Sequence, residues 1–493
     1  MSSGAQVAKN AAWLIAATTA QKGVSFLSFS IVARVVGPET MGIFFFAISI
    51  TSIFVTFTDL GLTPVLIREM ASDEKSGRAF LGKALHLKFV LIPTAVLGVL
   101  LYGWVTGLSG MTYLAVALAC FVMSTDALSL LWYGVIRGRR LLRFEAMGMF
   151  VGQILTATIS ISAAFLGWGV IGLVCALMLG SFWNVGWSFV QGKKLGLTPL
   201  LGGNWTMARI SKSALPFALA GIFVKIYSYF DTLLLKQYHS IETVGHYAVA
   251  YKVTYALQFL PLAFIAALYP GMSAAASAKN THELKALLKG SLRLMMFVSV
   301  PLTALLSGLA EPIVQIVYGA RYSGSIIPLS ILPLVLIPIF LDFPIGSLLN
   351  ATHRASFKTT AMGIAMVVNV TANILLVPPY GAMGAAWAGV ISFSILPLIG
   401  FWFIRKDLQG EWMWMSTLLV RGLLAAALIW FSIRLALASA PWGYTLVAAP
   451  LYALLVLYLL RLFQKEDFQR VIGWLQRKAV MPDKMEEDFH ENP

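Results

Sequence analysis

The chain has 493 residues, of which 59% are hydrophobic and only 12% charged, and its mean hydropathy is +0.81. A soluble globular domain carries roughly twice that share of charge, so the composition excludes a soluble fold and points to a polytopic membrane protein. The net charge of +15 would suit a nucleic-acid partner, but the placement of the cations along the chain excludes that reading.

Apolar runs of about 20 residues, each enough to cross a bilayer, fill nearly the whole length. They predict an all-α chain of fourteen membrane helices, near 10–36, 40–66, 85–106, 111–136, 146–166, 170–191, 213–236, 244–270, 290–309, 325–350, 357–378, 382–404, 414–436 and 440–462. Lys9 is followed by Ala- and Thr-rich sequence without a small-residue cleavage site, so the first span is expected to be retained. The cations then sort by side. Lys9, Arg68 to Lys83, Arg137 to Arg143, Lys193 to Lys212, Lys279 to Lys289, Arg354/Lys358, Arg405/Lys406 and the tail from Arg461 fall on one face, against Arg34, Lys236 and Arg321 on the other. The positive-inside rule places both termini in the cytoplasm of a multi-pass inner-membrane protein. The basic balance is a topology signal, with membrane lipids rather than nucleic acid as its partner.

The first helix contains the key to the rest. Shifted by 203 positions, Lys22 meets Lys225, Ser25 meets Ser228, Phe26 meets Tyr229, and Glu39-Thr40-Met41-Gly42 meets Glu242-Thr243-Val244-Gly245. Gly82 and Pro93 recur as Gly290 and Pro301, Ala146-Met147-Gly148 as Ala361-Met362-Gly363, and Gly169-x-x-Gly172 as Gly381-x-x-Gly384. Matches in the same order define a parallel repeat of six helices, expected to bind its ligand where the halves meet. The domain reading is a six-helix lobe at 1–205, a second at 206–408, an extra helix pair at 409–462, and a cytoplasmic segment at 463–493. In that segment Phe468, Val471, Ile472 and Leu475 share one helical face, which suits an interfacial amphipathic helix. Met481 to Pro493 is acidic and expected to be disordered. Asn280 with Glu283 predicts a capped helix leading into the ninth span.

Enzyme motifs are absent: no phosphate-binding loop, no His-Glu-x-x-His and no His/Cys cluster with metal spacing. Cys120 and Cys175 sit in separate apolar runs and read as core thiols. Transport is the expected class, with no catalytic residue, cofactor or metal.

Lys22 lies about 18 Å from either end of its helix, near the middle of a hydrocarbon core of ~30 Å. An ammonium there costs on the order of 2.5–3.5 kcal/mol, so it must face protein or water. Lys225 is at the equivalent depth and Lys252 lies in the eighth helix. Two repeat-related cations make a site for an anion, with Ser25 and Ser228 beside them. Alternatively, each lysine pairs with an acid such as Asp231 or Asp59 and only locks helices together. The membrane acids are Asp59, Asp126, Asp231 and Asp342, with Asp126 and Asp342 at repeat-equivalent positions. They could carry a coupling H+ or Na+, or serve as partners of the lysines. Gln153, Asn369, Asn373 and Tyr229 could contact glycan hydroxyls; interhelical bonding is the plainer reading for the amides. Trp132, Trp183, Tyr227, Tyr251 and Tyr255 could stack on sugars or form interface belts.

Two six-helix repeats, the Gly-Pro-Glu-Thr-x-Gly turn at 37–42, Asp59-Leu60-Gly61-Leu62 and Arg68-Glu69 together resemble the polysaccharide (O-antigen-type) flippases. These belong to the multidrug/oligosaccharidyl-lipid/polysaccharide exporter superfamily, and the likeness extends over essentially the whole chain. It implies a two-lobed, alternating-access transporter for an undecaprenyl-pyrophosphate-linked oligosaccharide, expected as a monomer. A polysaccharide polymerase and other assembly proteins are implied partners. A lipid II flippase and a multidrug/toxin cation antiporter are the alternatives. The single Lys22 with a terminal Arg34 departs from the several arginines of the former, and a cationic cavity suits the latter's substrates poorly.

Overall fold

The computed structural model describes residues 3–200, 205–408, 412–439, 442–460 and 462. Among them every regular element is a helix. The predicted amphipathic helix at Gln464–Lys478 and the acidic tail lie outside the described residues.

The first two predicted spans form one element, Ser3–Asp59, broken at Gly37. Gly37 takes φ 83° and ψ 170°, a conformation that costs little without a Cβ. Pro38 then opens the second span, where its missing N–H would have had no partner. The eleventh and twelfth spans are likewise joined in Ala355–Leu408 and broken at Gly381, φ 54°, two residues after Pro378-Pro379. Among the described residues, eleven stretches are long and apolar enough to cross a membrane. Two of these, Thr19–Asp59 and Ala355–Arg405, are bent double spans, and Ala448–Leu459 is a shorter apolar helix. The fourteen predicted crossings are thus accommodated.

Boundaries differ where turns intervene. The second span ends at Asp59 rather than near 66, because Leu60 (φ 42°) and Gly61 (φ 78°) both leave the helical region. A short helix, Leu62–Ser72, follows. The eighth predicted helix is two, Ile241–Ala256 and Phe259–Ser277. The tenth is entered through short turns and the helix Ile326–Ile331 before Leu336–Ala351 begins. Pro328, Pro333 and Pro338 there each remove a backbone donor. The predicted cap forms: Asn280 Oδ1 accepts from the Glu283 N–H at 3.1 Å, opening Thr281–Gly308.

The chain forms two compact units. One comprises Gln6–Val249 and Asn373–Ala385; the other comprises Ala250–Ala372 and the described residues from Ala386 onward. In the first, Leu62, Val65, Leu66 and Met70 pack with Phe80, Leu81, Leu131, Trp132 and Val135. In the second, Leu288, Leu292 and Met296 of Thr281–Gly308 pack with Ile345, Leu349, Ala425 and Ile429.

Within the first unit the sequence repeat becomes a symmetric contact. A Cβ on Gly42 would strike the carbonyl oxygen of Ile241, with the carbonyl carbon 2.9 Å away. A Cβ on Gly245 would strike the carbonyl oxygen of Pro38, with its carbon 2.7 Å away. Each hypothetical Cβ also lies 3.1 Å from the other glycine's backbone nitrogen. The 203-residue shift maps Gly42 onto Gly245 and Pro38 onto Ile241. The two contacts are therefore one contact related by a local two-fold, and small residues let the backbones meet there.

Candidate functional site

The repeat-related lysines come together in the first unit. Lys225, half-buried in Met207–Tyr238, feels the charges of both Lys22 and Asp126. Its Nζ sits 5.3 Å from the ring centroid of Tyr229, one turn further along the same helix. Lys22 is exposed on Ser3–Asp59. Asp126 comes from Gly110–Gly138 and accepts a hydrogen bond from Ser181 Oγ of Gly169–Lys194 at 2.5 Å. Three helices thus bring Lys22 and Asp126 within electrostatic reach of Lys225, and a fourth supplies Ser181. With both lysines protonated, the repulsion between them falls when a further anion enters. Ser25 and Ser228 are half-buried, each three residues beyond its lysine and so on the same helical side.

The other acids have separate surroundings. Asp59 pairs with Lys88 at 3.4 Å and accepts from Thr63 Oγ1 at 2.5 Å. Lys88 is 1% exposed and also donates to the Thr58 carbonyl at 3.1 Å. Asp231 is buried, accepting from Tyr247 Oη at 2.5 Å and from the Thr232 N–H at 2.6 Å. Asp342 forms an ion pair with Lys358 in the second unit. The repeat-equivalent Asp126 and Asp342 therefore differ: one has a direct lysine partner, the other a serine and a more distant lysine.

Lys252 lies half-buried in Ile241–Ala256 and belongs to the second unit, where the Tyr251 and Tyr255 rings approach to 4.3 Å. Asn369 is fully buried and donates to Ser392 Oγ at 2.9 Å, an interhelical bond. Asn373 is buried and Gln153 half-buried. Trp132 packs edge-on against Phe189 with centroids 5.2 Å apart, and Trp183 donates to the Gly148 carbonyl at 3.1 Å. Both tryptophans are engaged in packing within the helix bundle. Cys120 and Cys175 are free thiols. Among the described residues no group of three or more His, Cys, Asp or Glu is placed to hold a metal ion.

Two partners of the membrane acids were not singled out from sequence. Ser181 has no local signal, since its partner is 55 residues away. Lys88 had one: it is a lysine a turn inside the third apolar run.

Comparison with known proteins identifies the family. The sequence profile of the family described as "Polysaccharide biosynthesis protein" matches residues 7–276, and that of MatE matches residues 216–375. The chain is 22% identical over 420 residues to the probable low-salt glycan biosynthesis flippase Agl15 of Haloferax volcanii, covering 82% of this chain and 86% of that protein. Among solved structures it resembles the lipid II flippase MurJ in an inward closed conformation. That match has a TM-score of 0.71 and 16% identity, and covers 93% of this chain and 99% of that one. An inward-facing MATE family multidrug resistance transporter gives 0.66 at 16% identity, covering 79% and 94%. The profile match spans more than half the chain, and the relatives are flippases and transporters rather than enzymes. The chain belongs to the polysaccharide biosynthesis protein family and is a polysaccharide flippase of the multidrug/oligosaccharidyl-lipid/polysaccharide exporter superfamily.

Proposed function

We propose that this flippase carries an undecaprenyl-pyrophosphate-linked oligosaccharide repeat unit from the cytoplasmic to the outer leaflet of the inner membrane by alternating access. The glycan would feed O-antigen, capsule or exopolysaccharide synthesis. The observation that carries the reading is the charge cluster of Lys22, Lys225 and Asp126. A pyrophosphate oxygen about 4 Å from a lysine gains about 4 kcal/mol per charge pair at an effective dielectric near 20, before desolvation is subtracted. Two lysines offset much of the cost of carrying the anion into the bilayer. Tyr229, one turn from Lys225, offers a ring face and a hydroxyl to the first sugar. Asp126 opposes the incoming anion, so binding and charge neutralisation at Asp126, by a proton or Na+, favour each other; this is the coupling we assign to it. A cationic drug gains nothing from the same cluster.

The test is flipping of lipid-linked glycans by purified protein in liposomes. Lys22→Ala and Lys225→Ala should each impair transport, and Lys→Arg should retain part of it. Full activity of the Lys22→Ala/Lys225→Ala double variant would remove the anion site from this position.

A further inference from the structure

A second cationic group lies far from Lys22 in sequence, at the start of Thr281–Gly308. This helix has 28 residues and so runs about 42 Å, roughly 12 Å longer than a hydrocarbon core. Its Gly308 end is apolar, so the excess falls at the polar Thr281 end, at the depth of lipid headgroups. There Lys285, Lys289 and Arg293 recur at every fourth residue, one per turn on a single stripe, and all three are half-buried.

Three further features fit a lipid. Lys289 Nζ and the Arg293 guanidinium lie 5.0 and 5.6 Å from the ring centroid of the same residue, Trp414. Trp414 stands at the start of the apolar span Met413–Leu437, where tryptophan marks the membrane interface. Along that span Val420, Leu424, Leu428, Phe431 and Leu435 are all exposed, from 47 to 62%, and give acyl chains a continuous apolar track. Beside Lys285 opens a cavity of about 300 Å³, lined also by His282, Leu288, Leu348 and Asp407. Asp407 is engaged by Arg354 at 2.7 Å, and Glu283 by the Asn280 amide at 3.1 Å.

We infer that Lys285, Lys289, Arg293 and Trp414 form a binding site for the headgroup of an anionic phospholipid. The stripe from Lys285 to Arg293 is about 12 Å long, more than one phosphate needs, so a diphosphatidyl lipid such as cardiolipin fits it best. Basic pockets at the ends of membrane helices recognise such headgroups. The inference does not depend on which glycan is flipped or on Lys22.

The experiment uses the full chain in detergent, with cardiolipin, phosphatidylglycerol, phosphatidylcholine or inorganic pyrophosphate added. Thermal unfolding is followed, and retained lipids are counted by native mass spectrometry. Cardiolipin should raise the melting temperature and stay bound, phosphatidylglycerol should do so more weakly, and phosphatidylcholine should not. Each of Lys285→Gln, Lys289→Gln and Arg293→Gln should weaken cardiolipin about fivefold, and Trp414→Leu should weaken it too. The single variants keep the test valid if the triple variant does not fold. Equal stabilisation by inorganic pyrophosphate would overturn a lipid site. So would loss of the variants' effects once residues 463–493 are deleted, since the stripe would then serve the chain's own acidic tail. Unchanged cardiolipin retention in all three single variants would overturn it outright.

Discussion

Replacing Gly42 or Gly245 with alanine tests the local two-fold directly. In either variant the new Cβ meets a backbone carbonyl, which has no rotamer into which to retreat. The carbonyl carbons lie 2.9 and 2.7 Å from the Cβ positions, against ~3.5–4.0 Å for carbon atoms in contact. The carbonyl oxygens lie closer still, so the helices must separate by at least roughly 0.6–1.3 Å. Overpacking of this size costs about 1–3 kcal/mol, which is about 5- to 150-fold in an equilibrium constant. Because the two clashes are symmetric copies, Gly42→Ala and Gly245→Ala should cost similar amounts. Because one separation relieves both, the double variant should cost much less than their sum, as residues that share a contact do. Thermal unfolding of the purified variants measures the three costs. If the crossing is made in only one transport state, the same substitutions should also shift cysteine accessibility along Ser3–Asp59 toward the other state. Strict additivity, or two variants as stable as the parent, would refute the symmetric contact.

Other outcomes follow from the ion pairs and from topology. Lys88→Met leaves Asp59 without its buried partner and should destabilise by about 3–5 kcal/mol in denaturant unfolding, with Asp59→Asn recovering part of the loss. Asp126→Asn should tighten lipid-glycan binding and flatten the pH or sodium dependence of flipping; unchanged dependence would make Asp126 a structural partner of Ser181 and Lys225. Outward flux in liposomes should rise with an inside-negative potential, since each negative charge moved gains about 2.3 kcal/mol per 100 mV; flux indifferent to potential would mean that the charge is neutralised in transit. Reporter fusions near Gly107, Gly167 and Gly381 should read periplasm and those near Arg139 and Lys193 cytoplasm, and the reverse pattern would overturn the assigned orientation.

Much of the helix plan was legible because its punctuation is chemical. Gly37-Pro38 and Pro378-Pro379-Tyr380-Gly381 announce breaks through the conformations these residues allow, and both breaks occur at the glycines. The end of the second span was harder to place. Leucine is a strong helix former, yet Leu60 sits at φ 42°, where Asp59, bonded to Thr63 and Lys88, anchors the turn. The backbone of Gly61 presses there against Met207–Tyr238, so that a Cβ would lie 2.9 Å from the Ala218 nitrogen. No local rule encodes a contact that depends on a helix more than 150 residues away.

The site divides in the same way. Lys22 and Lys225 were legible as candidates because a mid-membrane lysine is costly and these two recur at one repeat spacing. Asp126 acquires meaning only through tertiary contact: its hydroxyl partner Ser181 is 55 residues on, and Lys225 approaches from another helix. Sequence equivalence with Asp342 predicted similar surroundings, but Asp342 holds Lys358, sixteen residues away. That divergence bears on mechanism. Two identical half-sites would present an anion with two equal lysines and no means of linking its binding to a second ion. A lone carboxylate beside Lys225 breaks the equivalence: with Asp126 charged, the cluster holds a bound phosphate less tightly, and with Asp126 neutralised, more tightly. In the proposed mechanism the pseudo-symmetry supplies two lysines for the anion, and the departure from it supplies Asp126 as the group through which loading and release are told apart.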